Sequence, residues 1–208
     1  MSVVIEVNGL QKSFGDTVVI SDLNLKVEQG EMIGIQGKSG SGKSTLLNII
    51  GTIEKPSGGT VKIFNQENVK PNSRISQNLL RNKIGYLFQN YALIDNETVE
   101  SNLKVALYYN RKGTLTMEEA LSLVGLSGYE KRKVFTLSGG EQQRISLART
   151  LIKDCELILA DEPTGNIDDE NKRIIMDIFL KMKDMGKTII IVTHDTSLNK
   201  YFDRIIYL

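Results

Sequence analysis

The sequence predicts an α/β fold: a mostly parallel sheet covered on both faces, an antiparallel β subdomain and an inserted α-helical subdomain. Three observations carry that prediction. EMIGIQ (31–36), KIGYLFQ (83–89), ELILA (156–160) and KTIIIVT (187–193) are short, mostly apolar runs, as strands buried on both faces read. Stretches of helical spacing alternate with them; in 141–152, Ile145, Ala148 and Ile152 fall on one face. Finally, EMIGIQ runs straight into the glycine-rich turn GKSGSGKST (37–45), and TLLNII (45–50) reads as the start of a helix.

The remaining elements follow in chain order. VIEVNGL (4–10) and VVISDLNLKVE (18–28) alternate apolar and polar residues, as half-exposed antiparallel strands do. KPSGG (55–59) is a turn and TVKIF (60–64) another edge-type strand. SRISQNLLRN (73–82) suggests a short helix, and KIGYLFQ a strand ending at Gln89. From about Glu97 to Val124 the pattern is helical, with breaks near Gly113 and Gly125, and reads as the inserted subdomain. A helix over 169–185 and a closing strand RIIYL (204–208) complete the alternation.

Length and composition bound the rest. A chain of 208 residues suits one well-buried domain, 1–208, with a helical subdomain at about 90–150. A formal net charge of +1 gives no electrostatic case for nucleic acid as a partner. No apolar run approaches the ~18 residues of a membrane span. MSVVIEVNGL does not read as a secretory signal. The single cysteine, Cys155, excludes an internal disulfide and fits a reducing compartment. The abundance of Lys, Asn and Ile hints at an AT-rich bacterial genome.

Gly37, Gly42, Lys43 and Ser44 fit the phosphate-binding pattern G-x-x-x-x-G-K-[ST]. The glycines let successive backbone N–H groups point into one concavity, and the helix beyond offers its positive end to the same anion. Lys43 can reach the β- and γ-phosphates and the Ser44 hydroxyl can ligate Mg²⁺. The chain is therefore expected to bind a nucleoside triphosphate through Gly37, Lys38, Ser39, Gly40, Ser41, Gly42, Lys43, Ser44 and Thr45.

LILADEP (157–163) is an apolar strand ending in two carboxylates, and ligands bind beyond the carboxyl ends of such strands. Asp161 is placed to hold Mg²⁺, and Glu162 to orient or deprotonate an attacking water. LSGGEQQR (137–144) offers a second anion site: Ser138 can cap the next helix, and Gly139 and Gly140 leave its amides uncovered. Two phosphate-binding helix ends face one Lys-bearing loop. Either both hold one nucleotide within a chain, or two chains share two nucleotides.

With these residues in view, the chain resembles the nucleotide-binding subunit of an ATP-binding cassette (ABC) transporter over essentially its whole length, which implies a P-loop NTPase core. GKSGSGKST, LSGGEQQR and LILADEP look like the family's first nucleotide motif, its signature and its second nucleotide motif. Gln89 is similar to the glutamine that joins Mg²⁺ to the membrane subunit, GNID (165–168) to the loop crossing the dimer interface, and His194 to the switch histidine that senses the γ-phosphate. Phe14 stands where many members stack the adenine on Tyr.

The resemblance implies an ATPase using ATP and Mg²⁺. Its implied catalytic residues are Glu162, His194, Lys43 and Gln89, with metal ligands Ser44, Gln89 and Asp161. Nucleotide contacts would come from Phe14, Gln89, Ser138, Gly139, Gly140, Glu141 and Asp168 as well as the phosphate loop. Two such domains sandwich two ATP molecules head to tail, so a second copy and an integral membrane permease are the implied partners, at the cytoplasmic face of a bacterial cell membrane.

PTGNID (163–168) and YLFQNYALIDNETVESNL (86–103) are similar to the branch serving macrolide exporters, lipoprotein release and bacitracin- or bacteriocin-type peptide export. The implied task is export or membrane extraction of an amphipathic substrate such as an antimicrobial peptide. A signalling ATPase of the cell-division type, regulating a membrane partner without transport, is the alternative. Tyr91 to Ile94 are unusually apolar for a loop, and read either as a groove for a short permease helix or as core packing. No appended regulatory domain is expected after His194.

Overall fold

The computed structural model describes residues 2–109, 115–165 and 167–208. Its first sheet is antiparallel. Strands β1 (Val3–Phe14) and β2 (Thr17–Glu28) form a hairpin turned at Gly15 and Asp16; β4 (Gly58–Ile63) and the two-residue β5 (Gln66–Glu67) complete the order β2-β1-β4-β5. Strand β1 is longer than the 4–10 expected, because Gly9 (φ 57°) lets the register slip and pairing resume towards Phe14.

The second sheet contains β3 (Met32–Gln36), β6 (Ile84–Leu87), β7 (Leu157–Asp161), β8 (Thr188–Val192) and β9 (Arg204–Tyr207), in the order β6-β7-β8-β3-β9. Every pairing in it is parallel. Because side chains alternate across a strand, this sheet feeds two apolar clusters. Ile33, Ile35, Leu157, Leu159, Ile190 and Val192 face one, with Leu46, Leu47 and Ile50 of α1 (Lys43–Ile50) and the antiparallel sheet. Met32, Ile158, Ala160, Ile189 and Ile191 face the other, covered by α5 (Gly139–Lys153) and α6 (Asp169–Asp184). Gly34 is a glycine because the Phe202 ring lies flush where its Cβ would be.

Helix α2 (Arg74–Asn82) is capped by Ser73 and leads into β6. That strand stops at Leu87, short of the Gln89 expected, and Phe88 turns out to stack on Tyr86 with ring centroids 4.2 Å apart. The helical insertion consists of α3 (Val99–Tyr109) and α4 (Met117–Leu123), and α4 ends against Gly125 (φ 71°) as a left-handed stop. The break expected near Gly113 lies outside the described residues. Val99, Leu103, Leu121 and Val124 join the same cluster as Ile158 and Ile189, so the insertion and the sheet share one apolar interior. Leu93 packs against that cluster, whereas its neighbour Ile94 is exposed. Core packing thus accounts for Leu93 but not for Ile94.

Candidate functional site

Strand β3 delivers the loop 37–42 to the start of α1. Gly40 (φ 81°) and Gly42 (φ 92°) are left-handed, and a Cβ on Gly42 would sit 2.7 Å from Val19 Cγ1. Glycine is required there by both conformation and space. Gly42 is also the N-cap of α1 and offers no side-chain cap, so the first amides of the helix keep their affinity for an anion. Lys43 is buried, and its Nζ donates to the Gly37 and Lys38 carbonyls at 3.0 and 2.9 Å. A cation is thereby folded over the centre of the loop. The buried Ser41 hydroxyl has no partner among the described residues.

The facing wall is the end of β7. Asp161 is partly buried; desolvation raises its carboxyl above the usual range, opposed by a hydrogen bond from Ser44 and reinforced by the charge of Glu162. Its Oδ1 is buried with no partner among the described residues. The chain turns sharply next, with Glu162 left-handed (φ 47°) and its N–H donating to Val192 O at 2.9 Å. A non-glycine residue held there marks strain of the kind that collects at functional sites. His194 Nδ1 lies 2.8 Å from Glu162 Oε1. A carboxylate only accepts, so the imidazole Nδ1–H donates. The Glu162 side chain is 14% exposed and that of His194 71%.

A cleft of about 610 Å³ is lined by Ser39, Gly40, Gly42, Lys43, Ser44, Thr45, Gln89, Glu162, His194 and Val19. A second hollow of about 310 Å³ shares Gln89, Glu162 and His194 with it and adds Thr164, Gly165, Ile167, Lys172 and Asp195. The two meet at the three shared side chains, next to the phosphate loop. The sequence reading missed Val19 and Lys172. Val19 is the extra residue where the β1–β2 register slips, between Val18 (opposite Ser13) and Ile20 (opposite Lys12), and such a bulge re-aims a side chain. Lys172 donates to Asp195 at 2.8 Å, and this contact and its Ser197 partners hold the Asp195 carboxyl down at about 2.

The second helix end lies elsewhere. Ser138 caps α5 through a reciprocal box: Glu141 N–H donates to Ser138 Oγ at 3.3 Å, and Ser138 N–H to Glu141 Oε2 at 2.8 Å. Tyr129 donates to the other Glu141 oxygen at 3.1 Å. These bonds, that from Ser138 N–H first, lower the Glu141 carboxyl, and they give it a local task beside the nucleotide contact implied by the resemblance. None of Ser138, Gly139, Gly140 and Glu141 lines the cleft at the phosphate loop.

Asp168 caps α6, accepting from Asn171 N–H at 2.9 Å and from Asn171 Nδ2 at 2.7 Å, while Arg144 of α5 donates to Asn171 Oδ1 at 2.6 Å. Gly140 packs against the same residue, since a Cβ would meet Asn171 Cγ at 2.7 Å. Asn166, within the expected interface loop, lies outside the described residues. Phe14 closes β1 with half its surface exposed and does not line the cleft.

The comparisons with known proteins agree on the family. Residues 20–165 match the family model described as ABC transporter. The macrolide export ATP-binding/permease protein MacB of Mannheimia succiniciproducens is 39% identical over 98% of this chain, which spans 33% of that protein. The probable syringafactin export ATP-binding/permease protein SyfD of Pseudomonas syringae is 36% identical, again over 98% of this chain and 32% of its own length. The chain thus spans about a third of the length of these relatives. It spans 93% of the ABC transporter ATP-binding protein MJ0796 of Methanocaldococcus jannaschii, at 38% identity over 99% of this chain. The dimeric structure of MJ0796 bound to ADP and Pi superposes with a TM-score of 0.86, at 34% identity over 98% of this chain and 94% of that one.

Proposed function

The chain belongs to the ABC transporter family, and on that premise we propose that it hydrolyses ATP at a site completed by a second copy of itself, driving a membrane permease. One observation carries the shared site. The signature end of α5 is a capped helix N-terminus that takes no part in its own chain's cleft, so it is available to a nucleotide held by another. The MJ0796 cassette, solved as a dimer with ADP and Pi, supports the reading.

In this reading Lys43 exchanges the Gly37 and Lys38 carbonyls for β- and γ-phosphate oxygens. Phe14 stacks on the base, and Ser138 to Gly140 of the opposite chain meet the terminal phosphate. Glu162 takes the proton of the attacking water. His194, held to Glu162 through Nδ1, turns its other ring edge towards the terminal phosphate. The unpaired Asp161 oxygen beside the Ser44 hydroxyl, with Gln89 on the same cleft, fits Mg²⁺, which takes few protein ligands and leaves the rest to phosphates and water. Bound there, the ion neutralises charge on the phosphates.

Gel filtration of Glu162→Gln with and without Mg·ATP tests the assembly. The variant should run as a dimer only with nucleotide; a monomer under both conditions would contradict the shared site.

The proposed contact with the permease is a groove of about 450 Å³ between α2, β6, α3 and α5, where Leu80, Tyr86, Val105 and Ala106 are rimmed by the cations Arg81, Arg149 and Lys153. Arg149 also donates to the carbonyls of Ala92 and Tyr91, at 2.6 and 3.0 Å, holding two consecutive left-handed residues just after Gln89. That links the groove mechanically to the cleft. Val105 is 49% exposed on α3. Val105→Asp should keep ATP affinity and weaken co-purification with the permease by about tenfold or more, since a charge would be buried in an apolar contact. Undiminished co-purification would move the docking surface elsewhere.

The cargo proposed is an amphipathic molecule moved outward, in its narrower form an antimicrobial peptide. The relatives named for macrolide and syringafactin export support the outward direction. A peripheral position on the cytoplasmic face of the membrane goes with this reading, and no helix among the described residues is long and apolar enough to cross a membrane.

A further inference from the structure

An aromatic ring at the turn end of a hairpin has little to hold it still. Phe14 is 50% exposed, and the turn at Gly15 and Asp16 follows at once. Yet one face of its ring is occupied: Lys12 Nζ sits 4.5 Å from the ring centroid. Lys12 itself is nearly buried and doubly anchored, donating to Glu54 Oε1 at 2.7 Å and to Lys55 O at 2.9 Å. Both anchors belong to the segment that closes α1, where Glu54 N–H donates to Asn48 O at 3.1 Å. The helix that carries the phosphate loop at its N-terminus therefore holds, at its other end, the cation against which the ring rests.

We infer that Lys12 is a positioning residue for nucleotide binding: it fixes the Phe14 ring from behind, leaving the opposite face as a preset platform for the purine. The inference rests on the reading of Phe14 as the base-stacking residue. Stacking on a ring that is already ordered loses less side-chain freedom on binding, so the cation acts on the base alone and not on the phosphates. A purely structural Lys12–Glu54 ion pair would instead affect every ligand of the fold alike.

Binding of ATP and of inorganic tripolyphosphate separates these cases, because the second ligand carries the phosphates without a base. Lys12→Met keeps the apolar stem and removes the cation. It should weaken ATP by about 2- to 10-fold, the cost of immobilising one side chain on binding, and leave tripolyphosphate affinity unchanged. Lys12→Arg should restore ATP affinity. In a Phe14→Ala background, Lys12→Met should add no further loss.

Glu54→Gln, which loosens the ammonium without deleting it, should weaken ATP in the same direction, and it serves as the test if Lys12→Met does not fold. A loss in Phe14→Ala but not in Lys12→Met or Glu54→Gln overturns the inference and spares the stacking reading. Unchanged ATP affinity in Phe14→Ala overturns both. Equal losses for ATP and tripolyphosphate assign Lys12 to the fold and overturn the positioning role.

Discussion

Replacing Glu162 by Gln should leave Mg·ATP affinity near that of the parent and cut steady-state phosphate release by about 10²–10⁴-fold, the usual worth of a positioned general base. The geometry makes the substitution clean. Glutamine keeps the length and shape of the side chain, and its amide oxygen can still accept the His194 Nδ1–H that now lies 2.8 Å from the carboxylate. It cannot take a proton from water. The left-handed turn at Glu162 is tied to Val192 O by a backbone bond that no side chain supplies, so the cleft should survive. Asp161 offers the contrast. One of its oxygens is buried without a partner among the described residues while the carboxyl takes a hydrogen bond from Ser44, and Asp161→Asn should act on metal-dependent binding more than on proton transfer. A Glu162→Gln enzyme that turns over at close to the parent rate would remove Glu162 from the role of base.

The parts of the fold that were legible in the sequence are those where one local rule decides. The run into Gly37 has a buried apolar strand, left-handed glycines and a helix start in immediate succession, and the structure has β3, the loop and α1 in that order. Ser138 reads as a cap because its residue type suits a helix start, and in the structure it forms a reciprocal box with Glu141. What escaped depends on long-range geometry. Val19 enters the cleft only because the β1–β2 register slips beside it, and no local pattern marks a bulge. Leu93 and Ile94 are chemically alike, and only the packing of α3 and α5 decides which is inside. Phe88 belongs to an apolar run, yet the strand stops before it because the ladder to β7 ends at Leu87. Asn171, which joins Asp168 to Arg144 of α5, looks in sequence like an ordinary first-turn residue.

The central claim is that one active site needs Lys43 from one chain and Ser138 from another. Lys43→Ala deletes the cation folded over the phosphate loop, and each charge-assisted bond to a phosphate is worth about 1.5–3 kcal/mol, or roughly 10- to 150-fold in affinity. Ser138→Arg puts a bulky side chain where the capping hydroxyl meets Glu141 N–H and where the opposite chain's phosphate would sit. Each variant alone should lose nearly all ATPase activity, because both sites of its homodimer carry the defect. Mixing the two in equal amounts is the decisive measurement. Half of the dimers formed at random are mixed, and each mixed dimer holds one site with an intact Lys43 facing an intact Ser138. The mixture should recover activity far above the sum of its parts, approaching roughly a quarter of the parent rate if the sites act independently. Activity equal to that sum, with mixed dimers present, would show that each chain completes its own site and would contradict the account.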